Sequence, residues 1–284
     1  MVVKELEDPG AFLEAAVPLL LEDEARNNLI LGIAGTLDEH PTVYREFRLW
    51  LVEDHGGEVT GAALQTPPFN LVLGQPRDHD ALAALADALS SQRIELPGVT
   101  GAVPEVEVFS ENWLARTGLS RHLRVAQRIH RLTELDPVED VPGRSRTATE
   151  ADRELLVEWV SAFIAEALPE GAPGGDAERM VDTRLRTGAG GLAIWEDGGP
   201  VSLAGWGGRT PNGVRIGPVY TPPEHRRHGY GSAVAAAVTS TQLAAGRTFC
   251  FLYTDVANPT SNKIYSEIGY EPVCDAIDYA FEVE

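Results

Sequence analysis

Lysine is nearly absent from this chain of 284 residues. It stands only at Lys4 and Lys263, and arginine carries the rest of the positive charge. Against 23 basic residues there are 43 acidic ones, a formal net charge of -20. A field of that sign repels phosphate backbones and anionic lipid, so neither nucleic acid nor a membrane is an expected partner. Its plainest consequence is solubility, and it is compatible with cationic partners such as amines. Cysteine is scarce too. Cys250 and Cys274 fit no C-x-x-C pattern and no zinc ligand set can be built around them, so no metal is expected. Both lie in apolar, strand-like stretches where buried free thiols are expected. No apolar run approaches the roughly 20 residues that span a bilayer. The N-terminus, acidic at Glu5, Glu7 and Asp8, lacks the basic start and apolar core of a signal peptide. A soluble, cytoplasmic protein is the expectation. The apolar share of 43% is that of a globular chain, and the length allows one large domain or two of about 140 residues.

A composition break divides the chain. Residues 135–146 hold Pro137, Pro142 and Gly143 with no helical periodicity, and 136–145 read as a linker between halves 1–135 and 146–284. The first half reads as a helix over 9–37, strands over 45–53, 58–65 and 69–73, and a helix over 78–91. A short helix near 107–117 and a strand over 123–135 complete it. In the second half Thr149 is placed to cap a helix from Glu150, with Asp152 in its first turn. A loop rich in proline and glycine fills 169–175, and Asp176 caps a second helix ending near Gly188. Strands follow over 191–196 and 200–209 about an Asp197-Gly198-Gly199 turn, then 214–220. A helix over 229–245 stops at Gly246; strand 247–254, helix 259–268 and a strand pair opened by Gly269 end the chain. Both halves run helix, strands, helix, strand, helix, strands. No short period links them, so the pattern reads as an old duplication.

The segment that bears chemistry is 217–232, GPVYTPPEHRRHGYGS. A strand enters a loop, and the loop opens a long alanine-rich helix. Free N–H groups of a first helical turn carry partial positive charge, and glycines let the backbone approach an anion closely. With Arg226 and Arg227 alongside, a diphosphate is the physical expectation; a plain glycine-containing loop before a packed helix is the alternative. No G-K-[ST] ending follows, which excludes a nucleoside-triphosphatase loop. Val234 stands where a dinucleotide fingerprint needs its third glycine. What survives is Arg226-x-x-Gly229-x-Gly231 between strand and helix.

That pattern resembles the acyl-CoA pyrophosphate loop of the GNAT superfamily of N-acyltransferases. Residues 254–270, TDVANPTSNKIYSEIGY, are similar to the asparagine-to-tyrosine helix and Gly-aromatic turn that follow the fifth strand in that superfamily. The resemblance covers about 145–284 and implies an α+β protein of two tandem GNAT-like domains, each a mixed, mostly antiparallel sheet flanked by helices. The first is degenerate: its nearest counterpart of the loop, 72–80, has one glycine and no matching pair. The resemblance further implies acetyl-CoA, or another short acyl-CoA, as cosubstrate. Backbone groups of Val219 and Thr221, with Tyr220 nearby, would meet its pantetheine arm. Arg226, Arg227, His228, Gly229, Tyr230, Gly231 and Ser232 would surround its pyrophosphate, with Asn258 and Ser261 facing its amide arm and phosphate edge. Asn258 also suits a plain helix cap before Pro259. Tyr265 would be the general acid that protonates the leaving thiolate, or else a packing residue beside Ile264 and Ile268.

Amine attack also needs a base, and Glu166, Asp255, Glu224 and His225 are candidates without distinction among them. The reaction so implied is direct transfer of an acyl group to a small-molecule or peptide amine. Acceptor pockets are expected from loops, here 165–175 and parts of the first half. A non-catalytic acyl-CoA sensor or interaction protein on the same fold is the rival reading. A second, aminoacyl transfer from charged tRNA, would need a basic groove that the net charge disfavours.

Overall fold

The computed structural model describes residues 1–167 and 176–283. The loop expected over 169–175, and with it most of the expected acceptor loop, lies outside the described residues. Contacts divide the chain into two compact units, Met1–Arg128 with Cys274–Glu284, and Ile129–Val273.

The first unit opens with β1 (Val2–Leu6), α1 (Pro9–Leu20) and α2 (Asn28–Glu39), then β2 (Arg48–Glu53), β3 (Val59–Gln65) and β4 (Leu71–Leu73). There follow α3 (Asp80–Ser91), β5 (Gly98–Ala102), α4 (Glu105–Thr117) and β6 (Ser120–Leu132). Strands β1 to β4 pair antiparallel in chain order, and β4 pairs parallel with β5. Alternation along each strand serves two faces. Leu49, Leu51 and Leu64 meet Phe12, Leu20, Ile30 and Leu31 of α1 and α2. Trp50, Leu71 and Val99 meet Leu82, Leu85, Phe109 and Trp113 of α3 and α4.

The single helix expected over 9–37 is two. Asp8 caps α1 by accepting from the Gly10 N–H at 2.9 Å, and a 3-10 turn at Leu21–Asp23 ends it. Asn27 and Asn28 then donate from their side chains to the Leu20 and Ala25 carbonyls at 2.9 and 2.7 Å. Such local side-chain bonds compete with the helical ladder.

The second unit repeats the plan: β7 (Arg144–Thr147), α5 (Arg153–Ala167), α6 (Ala177–Arg186), β8 (Gly190–Glu196), β9 (Pro200–Gly207) and β10 (Gly213–Tyr220). Then come α7 (Tyr230–Ala244), β11 (Phe249–Asp255), α8 (Pro259–Glu267) and β12 (Glu271–Glu282). Again the first four strands pair antiparallel and the next pair, β10 with β11, is parallel. Leu156, Trp159, Val160 and Val181 of α5 and α6 cover one face of the sheet. Val234, Ala235, Ala236 and Val238 of α7 cover the other, with Ile268 and Tyr270. The small side chains of α7 let it lie close to the strands. The helix expected from Glu150 opens as a 3-10 turn over Glu150–Asp152 before α5, with Asp152 accepting from the Thr149 N–H at 2.8 Å. Asp176 caps α6 by accepting from the Arg179 N–H at 3.2 Å.

Two expectations about the chain's course differ from the fold. The stretch 136–145 is docked on the second unit: Asp136 N–H donates to the Ile268 carbonyl at 3.2 Å, and Trp195 Nε1 to that of Pro142 at 2.9 Å. Leu135 and Val138 pack on its core. Proline and glycine here fix a packed path instead of a free one. After Gly269 there is one twelve-residue strand and no pair. Residues 276–280 of β12 run antiparallel to β5 and so belong to the first unit. Cys250 is buried on β11, and Cys274 on β12 is half-buried near Arg26 and Asp23, a less apolar setting than expected. Burial pushes their thiols up to about 12 and about 11. No described helix is long and apolar enough to cross a membrane.

Candidate functional site

The site is built where β10 leaves β11. The parallel pairing of these strands covers Gly213 with Phe249, Val214 with Cys250 and Arg215 with Phe251, and goes no further. β10 continues to Tyr220 and β11 to Asp255, so their ends part. A bulge explains the divergence. The register of β10 on β9 shifts between Ile216 and Val219, and Gly217 there has φ +142°. Bulges sharpen local twist, and Pro218 has no N–H to give a neighbour. Arg184 of α6 donates to the Gly217 carbonyl at 3.0 Å and holds the bulge. Beyond it, Val219 and Tyr220 pair with Ala204 and Leu203 of β9 only.

The loop after β10 makes a 3-10 turn at Pro223–His225 and reaches α7 through two residues of positive φ, Arg227 at +67° and Gly229 at +82°. The first helical bond runs from the Ala233 N–H to the Gly229 carbonyl. The N–H groups of Tyr230, Gly231 and Ser232 therefore precede the ladder. Arg227, His228 and Gly229 are exposed beside them, and Arg227 makes no ion pair among the described residues. This geometry suits an anion.

Several expected site residues have tasks inside the protein. Arg226 turns back: its Nη2 meets both Glu166 oxygens at 2.7 and 2.8 Å, and its Nε donates to the Thr221 carbonyl at 2.9 Å. Tyr220 points to the α5 side and donates from its hydroxyl to Glu166 at 3.1 Å. Burial and this carboxylate raise the Tyr220 phenol. Glu166 is thus engaged twice. Thr221 shares a hydrogen with Ser202 at 2.8 Å, and Ser202 also donates to the Tyr220 carbonyl at 2.9 Å. The buried Tyr230 donates to Asp197 at 2.6 Å, tying the start of α7 to the β8–β9 turn, and His228 stacks on its ring. Asp197 raises the Tyr230 phenol. Only the backbone of Tyr230 faces the loop's task.

At the other strand end Asn258 caps α8, its Oδ1 accepting from the Ser261 N–H at 3.1 Å. Asp255, a candidate base, accepts from the Ala257 N–H at 2.7 Å. Glu224 is exposed and His225 half-buried in the turn after β10. Tyr265 packs on the α7 side of the sheet, edge-on to Tyr270 with ring centroids 5.9 Å apart. Tyr270 is committed, sharing a hydrogen with Thr239 at 2.8 Å. The Tyr265 hydroxyl makes no hydrogen bond among the described residues, and burial pushes its phenol well above the ordinary tyrosine value. It stays protonated at neutral pH and available as a donor.

Three features here lie beyond the sequence reading: the Glu166 pairing, the Asp197 anchor, and a buried unpaired hydroxyl on Thr254. Only the last has a local signal. Thr254 continues the apolar alternation of Cys250 and Leu252, where a hydroxyl is out of place.

At the corresponding strand ends of the first unit the chain's own groups are bonded to one another. Gln75 N–H, just past β4, donates to Asn27 Oδ1 at 2.7 Å. Arg26 donates to the Val103 carbonyl, just past β5, and to Glu105, both at 2.6 Å. Before α3, Asp78 accepts from the Asp80 N–H at 2.9 Å, so a carboxylate already stands at that helix start. Arg77 is paired with Glu22 and Glu58. Among the described residues no group of three or more His, Cys, Asp or Glu could hold a metal ion.

Residues 176–277 match the family model described as FR47-like protein. No curated protein is a significant match to the sequence. Among solved structures, an acetyltransferase of the GNAT family from Colwellia psychrerythraea covers 100% of both chains at 15% identity and a TM-score of 0.58. A tandem GNAT protein from the clavulanic acid biosynthesis pathway covers 99% of this chain and 98% of its own, at 15% identity and 0.60. A Drosophila protein covers the same shares at 11% identity and 0.71. The second unit carries all but the last four residues of the FR47-like segment, and the chain as a whole has the GNAT fold in its tandem form.

Proposed function

We propose that the second unit is an N-acyltransferase site that moves an acetyl or other short acyl group from acyl-CoA to a primary amine. The observation that carries this reading is the parting of β10 from β11 after Arg215 and Phe251, with first-turn N–H groups of α7 that precede the helical ladder at one end and the uncommitted Tyr265 phenol on its α7 side. The residues fit such a cosubstrate. Arg227, the N–H groups of Tyr230, Gly231 and Ser232, and the side chains of His228 and Ser232 would hold its diphosphate. The unpaired edge of Val219 would meet the pantetheine arm. Arg226 contributes by holding the Thr221 carbonyl and Glu166, or by exchanging that exposed ion pair for phosphate, since such pairs are worth at most about 1 kcal/mol. Asn258 and Ser261 shape the far rim.

The cosubstrate supplies an activated thioester. The amine nitrogen would bond to its carbonyl carbon as the carbon–sulfur bond breaks, and Tyr265 would give its proton to the departing sulfur. The proton lost from the amine nitrogen would return through water to the Tyr265 oxygen, restoring the phenol. No covalent enzyme intermediate is needed, and neither nucleic acid, membrane nor metal has a part. We place the reaction in the cytoplasm, with a small-molecule or peptide amine as acceptor.

The test is acetyl-CoA titration together with thiol release across amines, amino acids, aminoglycosides and peptides, for the parent and Tyr265→Phe. The expected result is a loss of turnover of about 10²-fold with acetyl-CoA affinity kept. Binding without thiol release from any acceptor would favour a sensor instead. Absence of binding would end the proposal.

A further inference from the structure

We infer that the Thr254 hydroxyl is a positioning group for the acyl-CoA arm, an inference that rests on the function proposed above. Thr254 is 3% exposed, and its Oγ1 is buried without a hydrogen-bond partner. An unpaired buried hydroxyl is costly, and a chain gains by replacing it with an apolar group of the same shape unless something uses it. Two observations say where its partner comes from.

The first is its place. Thr254 lies three residues past Phe251, the last residue of β11 paired with β10. By strand alternation it shares the face of Cys250 and Leu252, which is the face that carries α7 and Tyr265. The side chain of Val219, on the parted end of β10, packs on that same face. Thr254 therefore borders the opening on the side of the proton donor.

The second is company. Among the described residues of this unit, the buried side-chain oxygens without a partner are Thr254 Oγ1 and Asn262 Oδ1. Both stand at the β11–α8 junction. Asn262 donates from Nδ2 to the Asp255 and Val256 carbonyls at 3.2 and 3.4 Å, which fixes the amide's orientation and pins the turn that follows Thr254. Unpaired oxygens gathered at one strand end match a ligand with its own amide N–H and carbonyl groups, as the pantetheine arm has. A hydroxyl can donate to one or accept from the other.

The experiment compares Thr254→Val and Thr254→Ser by calorimetric titration with acetyl-CoA and by thermal unfolding without it. Valine should raise Tm by about 2 °C, because the free protein loses an unpaired hydroxyl. It should also raise the acetyl-CoA Kd about three- to tenfold. Serine, which keeps the hydroxyl, should hold the parent Kd within about twofold. A Kd unchanged in valine, or raised equally in valine and serine, overturns the role of the hydroxyl while leaving the proposed function intact. If Thr254→Val does not fold, Thr254→Ala against Thr254→Ser gives the same comparison. Absence of acetyl-CoA binding by the parent protein overturns the proposed function and this inference with it.

Discussion

At Gly229 a φ of +82° and a Val141 methyl carbon 2.8 Å from the place of a Cβ leave no room for a side chain. At Gly231, two residues on, a Cβ would meet only Thr221 Oγ1 at 3.3 Å. The sequence shows two equivalent glycines; their physical demands differ. Gly229→Ala should destabilise the protein by about 2 kcal/mol, from the left-handed backbone and the clash together, and this is read as a lower Tm. Gly231→Ala should fold nearly as the parent and lose affinity for acetyl-CoA, because its methyl stands beside the first-turn N–H groups. Equal Tm losses in the two variants would contradict this division. The requirement at Gly229 was invisible beforehand because Val141 sits in a stretch that reads as a linker, far from it in sequence. Tyr265 was visible, since its place on a short helix after Asn258 is a local pattern. The pairing of Arg226 with Glu166 was not, because the partner lies sixty residues away.

Among the elements, the start of α5 was the most legible. Thr149 and Asp152 are three residues apart, and the cap they form depends on nothing distant. Arg146 of β7 adds what spacing does not show. It donates to both oxygens of Asp152 at 2.7 Å and to Glu196 at 2.7 Å. The guanidinium and the Thr149 bonds hold the Asp152 carboxyl down at about 2, against an ordinary value near 4. A carboxyl depressed on folding stabilises above its unfolded value, and that contribution fades as pH falls from about 4 towards 2. It amounts to about 2 kcal/mol at neutral pH. Asp152→Asn should accordingly lower Tm by about 4–8 °C at pH 7 and by little near pH 2. Equal losses at both pH values would show that the charge is not responsible. The strands β1, β5 and β7 were illegible for a different reason. Their alternation is weak, and β5 carries Gly98, where the Tyr279 carbonyl and the Asn70 amide leave no room for a Cβ. Neighbouring strands, more than their own side chains, make them strands.

On the scale of the whole molecule the repeated plan reads out of the sequence in its main helices and strands but without β1, β5 and β7, and the contacts divide the chain at other points than the composition does. The contacts put 129–145 with the second unit and 274–284 with the first. No composition signal marks either passage, because a strand looks the same whichever sheet receives it. The two units also differ in what fills the end of their parallel strand pair. In one the strands stop pairing after Arg215 and Phe251; in the other Arg26 and Asn27 are bonded to the residues just past the strands. The chain should therefore bind one acetyl-CoA, with a stoichiometry of one by titration or native mass spectrometry. Two equivalents at similar affinity would contradict the reading of the first unit.

The Arg26 and Asn27 bridge has a consequence for how the protein answers its ligand. A gap closed by the chain's own side chains is satisfied at all times, whereas a gap closed by a small molecule is satisfied only while that molecule is bound. Ligand stabilises the native state by RT ln(1 + [L]/Kd) against every opening that releases it, and leaves unchanged the local openings that do not. Backbone exchange should then slow with acetyl-CoA along β10, the start of α7 and β11, and remain unchanged along β4, α3 and β5. On the proposed function, the first unit carries its occupant in its sequence, and the second would depend on the metabolic supply of its own.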